Sequence, residues 1–372
     1  MAIYERASVS AGAFSMEGKF YNSEEIFQLE LERIFFNQWL CIGRSEQIAN
    51  PGDYFLYNLG DESLIIVRDQ NGVAHALANV CTHRGARICQ AEKGHFSSTI
   101  QCPYHAWTFD LDGSLRAARL MQDVPSFDKA NYPLHRLHLV EWDGFLMLHM
   151  GENPEPFEQA YAPLIGKWDK WRLGELKIGA RIDYDIQANW KLLVENYSEC
   201  YHCPLIHPAL TALSPPDSGK NDLMEGPFLG GPMDLSSDVH SMTIDGGTAR
   251  PMISTLPPEE YNHVYYYSIF PNTLISLHPD YVMVHTMRPV SARRTLVRCE
   301  WLFEPETMAR PDFDTSDAVE FWDMTNREDW HACEISQQGV NSRFYRPGPY
   351  AQSEGLLWQF GQYYRQILQI EQ

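Results

Sequence analysis

Between residues 22 and 38, apolar side chains recur at helical spacing (Ile26, Phe27, Leu29, Leu31, Ile34, Phe35). This spacing predicts an amphipathic helix. Asn22 followed three residues later by Glu25 has the order of an N-cap and its capping-box partner. From about 39 to 150 the pattern shortens to β-rich runs such as Tyr54–Tyr57, Ser63–Val67 and Gly144–His149. Turn signals lie between them at Pro51-Gly52, Asn71-Gly72 and Asp112-Gly113, so a compact antiparallel β domain is predicted. Gly151–Pro156 is Pro-, Gly- and polar-rich and reads as a linker. A helix is predicted from about 189 to near Pro204, because proline interrupts the backbone ladder. Strands are predicted at 264–270, 274–277, 281–287 and 294–303, and helices at 315–338 and 353–369. A sheet with helices on one face is an α+β solution.

Composition narrows the function. A chain of 372 residues is long enough for two domains. With 29 basic against 49 acidic residues the net charge is −20. Such a surface repels phosphate backbones and anionic lipid, which argues against nucleic-acid and membrane partners. A hydrophobic fraction of 44% excludes a disordered chain. No apolar run reaches the roughly 20 residues of a bilayer span. The first residues lack the basic-then-apolar order of a secretory signal, so a soluble, cytoplasmic protein is expected. No internal repeat or low-complexity tract stands out. Eight cysteines, at 41, 81, 89, 102, 200, 203, 299 and 333, do not suggest a disulfide framework in such a chain. Most are expected to be reduced core residues.

Cys81 and Cys102 each precede a histidine at metal-binding spacing. Residues 81–83 read Cys-Thr-His and residues 102–105 read Cys-Pro-Tyr-His. Face to face, these loops form a two-Cys, two-His site. Structural zinc accepts the same ligands, although Cys-x-His is tighter than common zinc-finger spacing. The other reading is a Rieske [2Fe–2S] centre, in which two histidines replace two cysteines on one iron and raise the potential.

A second constellation follows at 189–208. Glu195, Glu199 and His202 are spaced i, i+4 and i+7, which on a helix is one face. Alone this could be an ordinary satisfied pair on an apolar helix. His207 lies five residues beyond His202, and a helix ended by Pro204 lets the chain turn and bring both imidazoles together. Two His and one carboxylate with open positions form the facial triad of non-haem Fe(II) oxygenases.

Cys81–Cys89 and Cys102–Gly113, followed by Glu-x3-Glu-x2-His-x4-His in the right order, together resemble the Rieske non-haem iron oxygenases. The departures are Ala106, where that family usually has glycine, and Glu199, where the best-known ring dioxygenases have Asp with one more residue after the Asn. The second departure resembles the branch with oxygenases of carnitine, glycine betaine and related N-methylated amines, and puts aromatic-ring dihydroxylation in doubt.

The resemblance implies an α+β molecule. An all-β Rieske domain (39–156) would precede a helix-grip (START-like) catalytic domain (157–372) with an antiparallel sheet, on which the helical segment 1–38 packs. It implies cluster ligands Cys81, His83, Cys102 and His105, and iron ligands His202, His207 and, on the late helix, Asp329, with Glu328 and Glu334 as alternatives. Asn196 and Glu199 are implied as catalytic, with Glu199 joining His202 to His105 of a neighbouring copy in a homotrimer. Cys89 is expected in the core. No Gly-x-Gly-x-x-Gly follows a strand, so electrons from NAD(P)H are expected through a separate reductase or ferredoxin, with O2 and a small organic molecule as substrates. Eight aromatics stand near the expected pocket: Tyr197, Tyr201, Tyr265, Tyr266, Tyr267, Tyr281, Trp358 and Phe360. About three in four are expected in the core, because alternate strand residues face inward. The others would form a cage for a methylammonium or serve a flat ring equally well. Residues 209–260, rich in Gly and Pro, read as a lid or channel. Two remoter readings need fewer residues: an electron carrier with an inert second domain, and a zinc-stabilised ligand-binding protein.

Overall fold

A computed structural model describes residues 13–370. The chain divides into two compact units, one of residues 36–160 and one that joins 13–35 to 161–370. Among the described residues no helix is long and apolar enough to cross a membrane.

The 36–160 unit contains ten strands: β1 Leu40–Arg44, β2 Asp53–Leu59, β3 Glu62–Arg68, β4 Ala74–Ala78, β5 Lys93–His95, β6 Thr99–Gln101, β7 Thr108–Asp110, β8 Leu115–Ala117, β9 Arg136–Trp142 and β10 Phe145–His149. They form an antiparallel sheet in the order β1-β10-β9-β4-β3-β2-β5 and a small sheet β6-β7-β8. Ile65, Val67 and Leu77 from the large sheet pack with Ile100 and Phe109 from the small one. Buried Asn79 braces the turn beyond β4. It donates to Cys89 O (2.7 Å) and accepts from the Ile88 and Cys89 amides (3.1 and 2.8 Å).

In the other unit, strands β11 Lys177–Ile186, β12 Leu223–Glu225, β13 Phe228–Asp234, β14 His263–Ile269, β15 Thr273–Leu277, β16 Val282–Ser291 and β17 Arg294–Phe303 form one antiparallel sheet, ordered β11-β17-β16-β15-β14-β13-β12. Strands β12 and β13 lie within the stretch read as lid or channel. Gly230 accounts for the difference: it has φ +136°, and a Cβ there would lie 2.0 Å from the Tyr266 carbonyl oxygen. Only glycine lets this strand pair closely, yet glycine is a turn signal in sequence.

The longer helices that serve the site are Trp190–Tyr197, Ser316–Val340 and Gly355–Leu368. The first is started by Asn189. Its Oδ1 accepts from the Lys191 amide (3.0 Å), its Nδ2 donates to Ala292 O (2.7 Å), and its own amide donates to Gln337 Oε1 (2.8 Å). This helix ends at Tyr197, short of the predicted Pro204. Pro204 instead lies in the first turn of a new short helix, Cys203–Ile206, where a missing amide hydrogen costs nothing.

The predicted helix at 22–38 is also divided. Lys19–Asn22 and Glu24–Glu30 are α-helical, and Leu31–Phe35 is wound as a π-helix. Ser23 is the N-cap, accepting from the Ile26 amide (3.3 Å), while Asn22 donates its side chain to Val340 O (3.0 Å). A serine hydroxyl next to the chosen cap competes equally well for the role. From this segment, fully buried Glu30 pairs with fully buried Lys191 and accepts from Trp190 Nε1 (2.9 Å) and the Tyr364 hydroxyl (2.6 Å).

Buried Glu195 faces Tyr21, whose hydroxyl donates to its carboxylate at 2.8 Å. Burial raises its pKa from 4.5 to about 7, against the hydrogen bond from Tyr21 and the charge of Lys191. The folded state therefore holds this proton more tightly than the unfolded chain. Stability should fall as pH rises through the window 4.5 to about 7, by roughly 3 kcal/mol in total. Glu195→Gln is expected to flatten that slope and to be the more stable form at pH 8, as read by denaturant titration at several pH values. Parallel profiles for the two proteins would rule out this carboxyl as the source.

Candidate functional site

In the 36–160 unit, two tight loops share one bonding pattern. The Cys81 amide donates to Ala86 O (2.9 Å) and the Gly85 amide to Cys81 O (2.9 Å). Likewise the Cys102 amide donates to Trp107 O (2.8 Å) and the Ala106 amide to Cys102 O (3.1 Å). Both loops need a left-handed residue at the same place, and Gly85 (φ +71°) and Ala106 (φ +58°) fill it. An alanine Cβ is disfavoured there. Ala106→Gly is therefore expected to stabilise this unit by roughly 0.5–1 kcal/mol after allowance for the more flexible unfolded chain. A higher midpoint for thermal loss of the cluster spectrum is the check.

The loops bring Cys81, His83, Cys102 and His105 together. Both thiols are buried, and the His83 and His105 ring centroids are 4.7 Å apart. Trp107 stacks on His83 at 4.7 Å. Burial and the neighbouring His105 lower the His83 pKa, which keeps the imidazole neutral as ligation requires. Among the described residues, His83 Nδ1 is buried without a hydrogen-bond partner. An orphaned ring nitrogen beside two buried thiols suits a [2Fe–2S] cluster, which would supply that bond. Cys89 is buried in the core cluster, as expected.

In the other unit, His202, His207 and Asp329 each present a ligand atom, all within 4.8 Å of one another. Asp329 Oδ1 is 3.3 Å from His202 Nε2 and 2.8 Å from His207 Nε2. The far ring nitrogens are held by two other carboxylates: His202 Nδ1 by Glu199 (2.6 Å) and His207 Nδ1 by Glu328 (2.7 Å). Such partners fix ring orientation and raise ligand basicity. Burial opposes charge on His202, but Asp329 and Glu199 outweigh it and lift its pKa to about 9. Burial also opposes ionisation of Asp329, and the two imidazoles overcome it, holding this carboxyl below its usual range. Two imidazoles and an anionic carboxylate on one side of a cavity suit Fe(II).

Local folding explains the convergence. After Tyr197 the chain leaves the helix. Glu199 accepts from the Tyr201 amide and, at 3.3 Å, from the His202 amide, so its side chain supports the loop that carries His202. The short helix Cys203–Ile206 then delivers His207. Glu195, Glu199 and His202 therefore do not share one helical face: Glu195 turns to Tyr21, and the other two lie on the loop. Trp322, Thr325 and Asp329, spaced i, i+3 and i+7 on the long helix, all line the cavity. Of the alternative acids, Glu328 touches His207 from behind, and Glu334 accepts from the Gln187 amide (2.9 Å) instead.

The cavity holds about 350 Å³, and Asn196 lies on its wall. Strand alternation decides which of three consecutive tyrosines reaches it. Tyr266 lines the cavity, while Tyr265 and Tyr267 face Trp171 and Trp168 in the core. Tyr197 and Tyr201 also line it; Tyr281 and Phe360 are buried, and Trp358 is not on the wall. Trp322, 6.3 Å from Tyr266, is a wall residue that the sequence reading missed. Its position two turns before Asp329 was the available signal. The sequence reading also missed the orienting role of Glu328 and a disulfide between Cys200 and Cys203. Most of the cysteines are reduced and buried, as expected (Cys41, Cys81, Cys89, Cys102, Cys299 and Cys333), and the Cys200–Cys203 pair is the exception.

Comparison with known proteins adds five findings. Residues 38–128 match the model of the Rieske [2Fe-2S] domain, and residues 173–370 that of the ring hydroxylating alpha subunit catalytic domain. The carnitine monooxygenase oxygenase subunit of Acinetobacter baumannii is 32% identical, over 90% of this chain and 87% of its own. The glycine betaine monooxygenase oxygenase subunit of Pseudomonas aeruginosa is 28% identical, over 92% and 86%. The crystal structure of a quaternary ammonium Rieske monooxygenase with its substrate gamma-butyrobetaine superimposes with a TM-score of 0.78 at 28% identity, covering 96% of each chain.

Proposed function

Because the chain belongs to the family of ring-hydroxylating oxygenase alpha subunits, with a Rieske [2Fe-2S] domain ahead of the catalytic domain, we propose that it is the terminal oxygenase for a small N-methylated amine. The observation that carries this is the cluster of His202, His207 and Asp329 on a cavity walled by Tyr197, Tyr266 and Trp322. The domain limits proposed are 39–156 for the cluster domain and 157–372 for catalysis, with the N-terminal helical segment 1–38 packing on the latter.

The roles proposed for the residues follow from their contacts. Cys81, Cys102, His83 and His105 hold the cluster, and His202, His207 and Asp329 hold Fe(II). When bound, these groups supply electron storage and dioxygen activation. Glu199 and Glu328 fix the two imidazoles so that each Nε2 faces the metal position. Tyr197, Tyr266 and Trp322 supply aromatic faces; such a face stabilises a desolvated ammonium by ~2 kcal/mol. Cavity walls with more apolar than polar surface exclude water from the reacting carbon. Hydroxylation of a carbon bonded to nitrogen gives a carbinolamine, which divides into an amine and a carbonyl compound. The remaining oxygen atom leaves as water, with two electrons from NAD(P)H.

Electrons arrive through a separate reductase or ferredoxin. The working assembly is a cytoplasmic homotrimer, in which Glu199 reaches His105 of the next copy. The test is O2 and NADH consumption with a surrogate reductase, against N-methylated amines and aromatic acids in parallel. Coupled release of an amine and an aldehyde or ketone is expected. Consumption only with aromatic acids would transfer the reading to ring hydroxylation, and consumption with neither would end it.

A further inference from the structure

The Cys200–Cys203 disulfide encloses His202 in a four-residue ring. Both cysteines line the catalytic cavity, and Cys203 Sγ lies 3.9 Å from His202 Nε2, the nitrogen that faces Asp329. The ring spans the join between the Glu199-supported loop and the helix Cys203–Ile206. Cys203 is buried and Cys200 half-buried, so a reagent entering the cavity meets this pair, whereas Cys41, Cys89, Cys299 and Cys333 are enclosed in the core. Cys-x-x-Cys is also the spacing at which thiol–disulfide exchange proceeds within one loop.

The oxidation state of this pair changes what faces the metal. As a disulfide, neither sulfur is a thiolate, and the backbone on both sides of His202 is tied. As a dithiol, the tie is gone and a soft sulfur ligand stands beside a site built from imidazole and carboxylate.

We infer that Cys200–Cys203 is a thiol–disulfide exchange site that sets the iron affinity of the catalytic cavity, the disulfide being the tight-binding form. In the exchange, a dithiol reductant gives two electrons and two protons to the bond. The Cys200–Cys203 S–S bond breaks, two thiols form, and the reductant closes its own S–S bond. The inference rests on the iron-site reading above.

The test uses the full chain, equilibrated without oxygen in buffers of graded reduced-to-oxidised dithiothreitol ratio and then trapped with iodoacetamide. The tryptic peptide Leu192–Lys220 contains Cys200 and Cys203 and no other cysteine. Without dithiol it should run two hydrogen masses below the dithiol form and take up no label. With dithiol it should gain two carbamidomethyl groups in one step. Over the same step, Fe(II) affinity of the protein stripped of mononuclear iron, measured by chelator competition, should fall roughly tenfold, the scale of a disturbed ligand support. The nitric oxide adduct of the ferrous site should change its paramagnetic spectrum in parallel. In the Cys200→Ser/Cys203→Ser variant, Fe(II) affinity should no longer respond to dithiol.

Two labels without dithiol would overturn the inference and leave the oxygenase reading standing. So would a peptide that converts while affinity and spectrum stay constant. Failure of the oxidised protein to bind Fe(II) would overturn both, and peptide mapping remains decisive even if the double variant does not fold.

Discussion

Replacing His202 with alanine is expected to reduce turnover to background while leaving the brown colour of the cluster. His202 is one of three donors within 4.8 Å of one another, and its Nδ1 is held by Glu199 at 2.6 Å. Without it, one imidazole and one carboxylate remain, too few to hold Fe(II) in an oxygenase geometry. The cluster residues lie between 81 and 105, in the other compact unit, so the lesion should not reach them. Iron should drop from about three to about two per chain, two being the content of a [2Fe–2S] cluster. The paramagnetic signal of the dithionite-reduced cluster should be retained. Wild-type turnover in this variant would refute the ligand assignment.

Glu199→Gln is expected to have the next largest effect, of a different kind. Glutamine keeps the shape and can still accept from the Tyr201 and His202 amides, so the loop should fold and both metals load. The negative charge at His202 Nδ1 is lost, as is the carboxylate proposed to reach His105 of the next copy. Changes of this type cost about 10–100-fold. The predicted signature is reoxidation of the reduced cluster in a single turnover, slowed within that range at unchanged iron content. An unchanged rate would remove Glu199 from the electron route.

The meander was legible because turn prolines and β-branched runs alternate there. Predicted 274–277 and 294–303 became Thr273–Leu277 and Arg294–Phe303. The late helix, predicted at 315–338, runs Ser316–Val340. What the sequence concealed depends on context. Pro204 can end a helix or begin one, and only packing decides. Gly230, Gly231 and Pro232 read as loop, yet they lie in a strand whose partner tolerates no Cβ at Gly230. Glu328 and Asp329 are adjacent acids, and which one faces the metal position depends on helix rotation against His207. Alternation did distinguish Tyr266 from its neighbours, but only once its register with β15 was known: Tyr266 opposite Ser276, Tyr267 opposite Ile275.

The buried pair between Glu30 and Lys191 spans 161 positions of the chain, and the Tyr364 hydroxyl bonded to the same carboxylate lies 334 away. During ribosomal synthesis Glu30 therefore emerges early and waits for partners made much later. The intervening 36–160 segment has its own core and can mature while translation continues. The helical segment 24–35 is thus among the last to be enclosed, and a chain stalled before residue 191 exposes the apolar face of Phe27, Leu31 and Ile34 to chaperones and proteases.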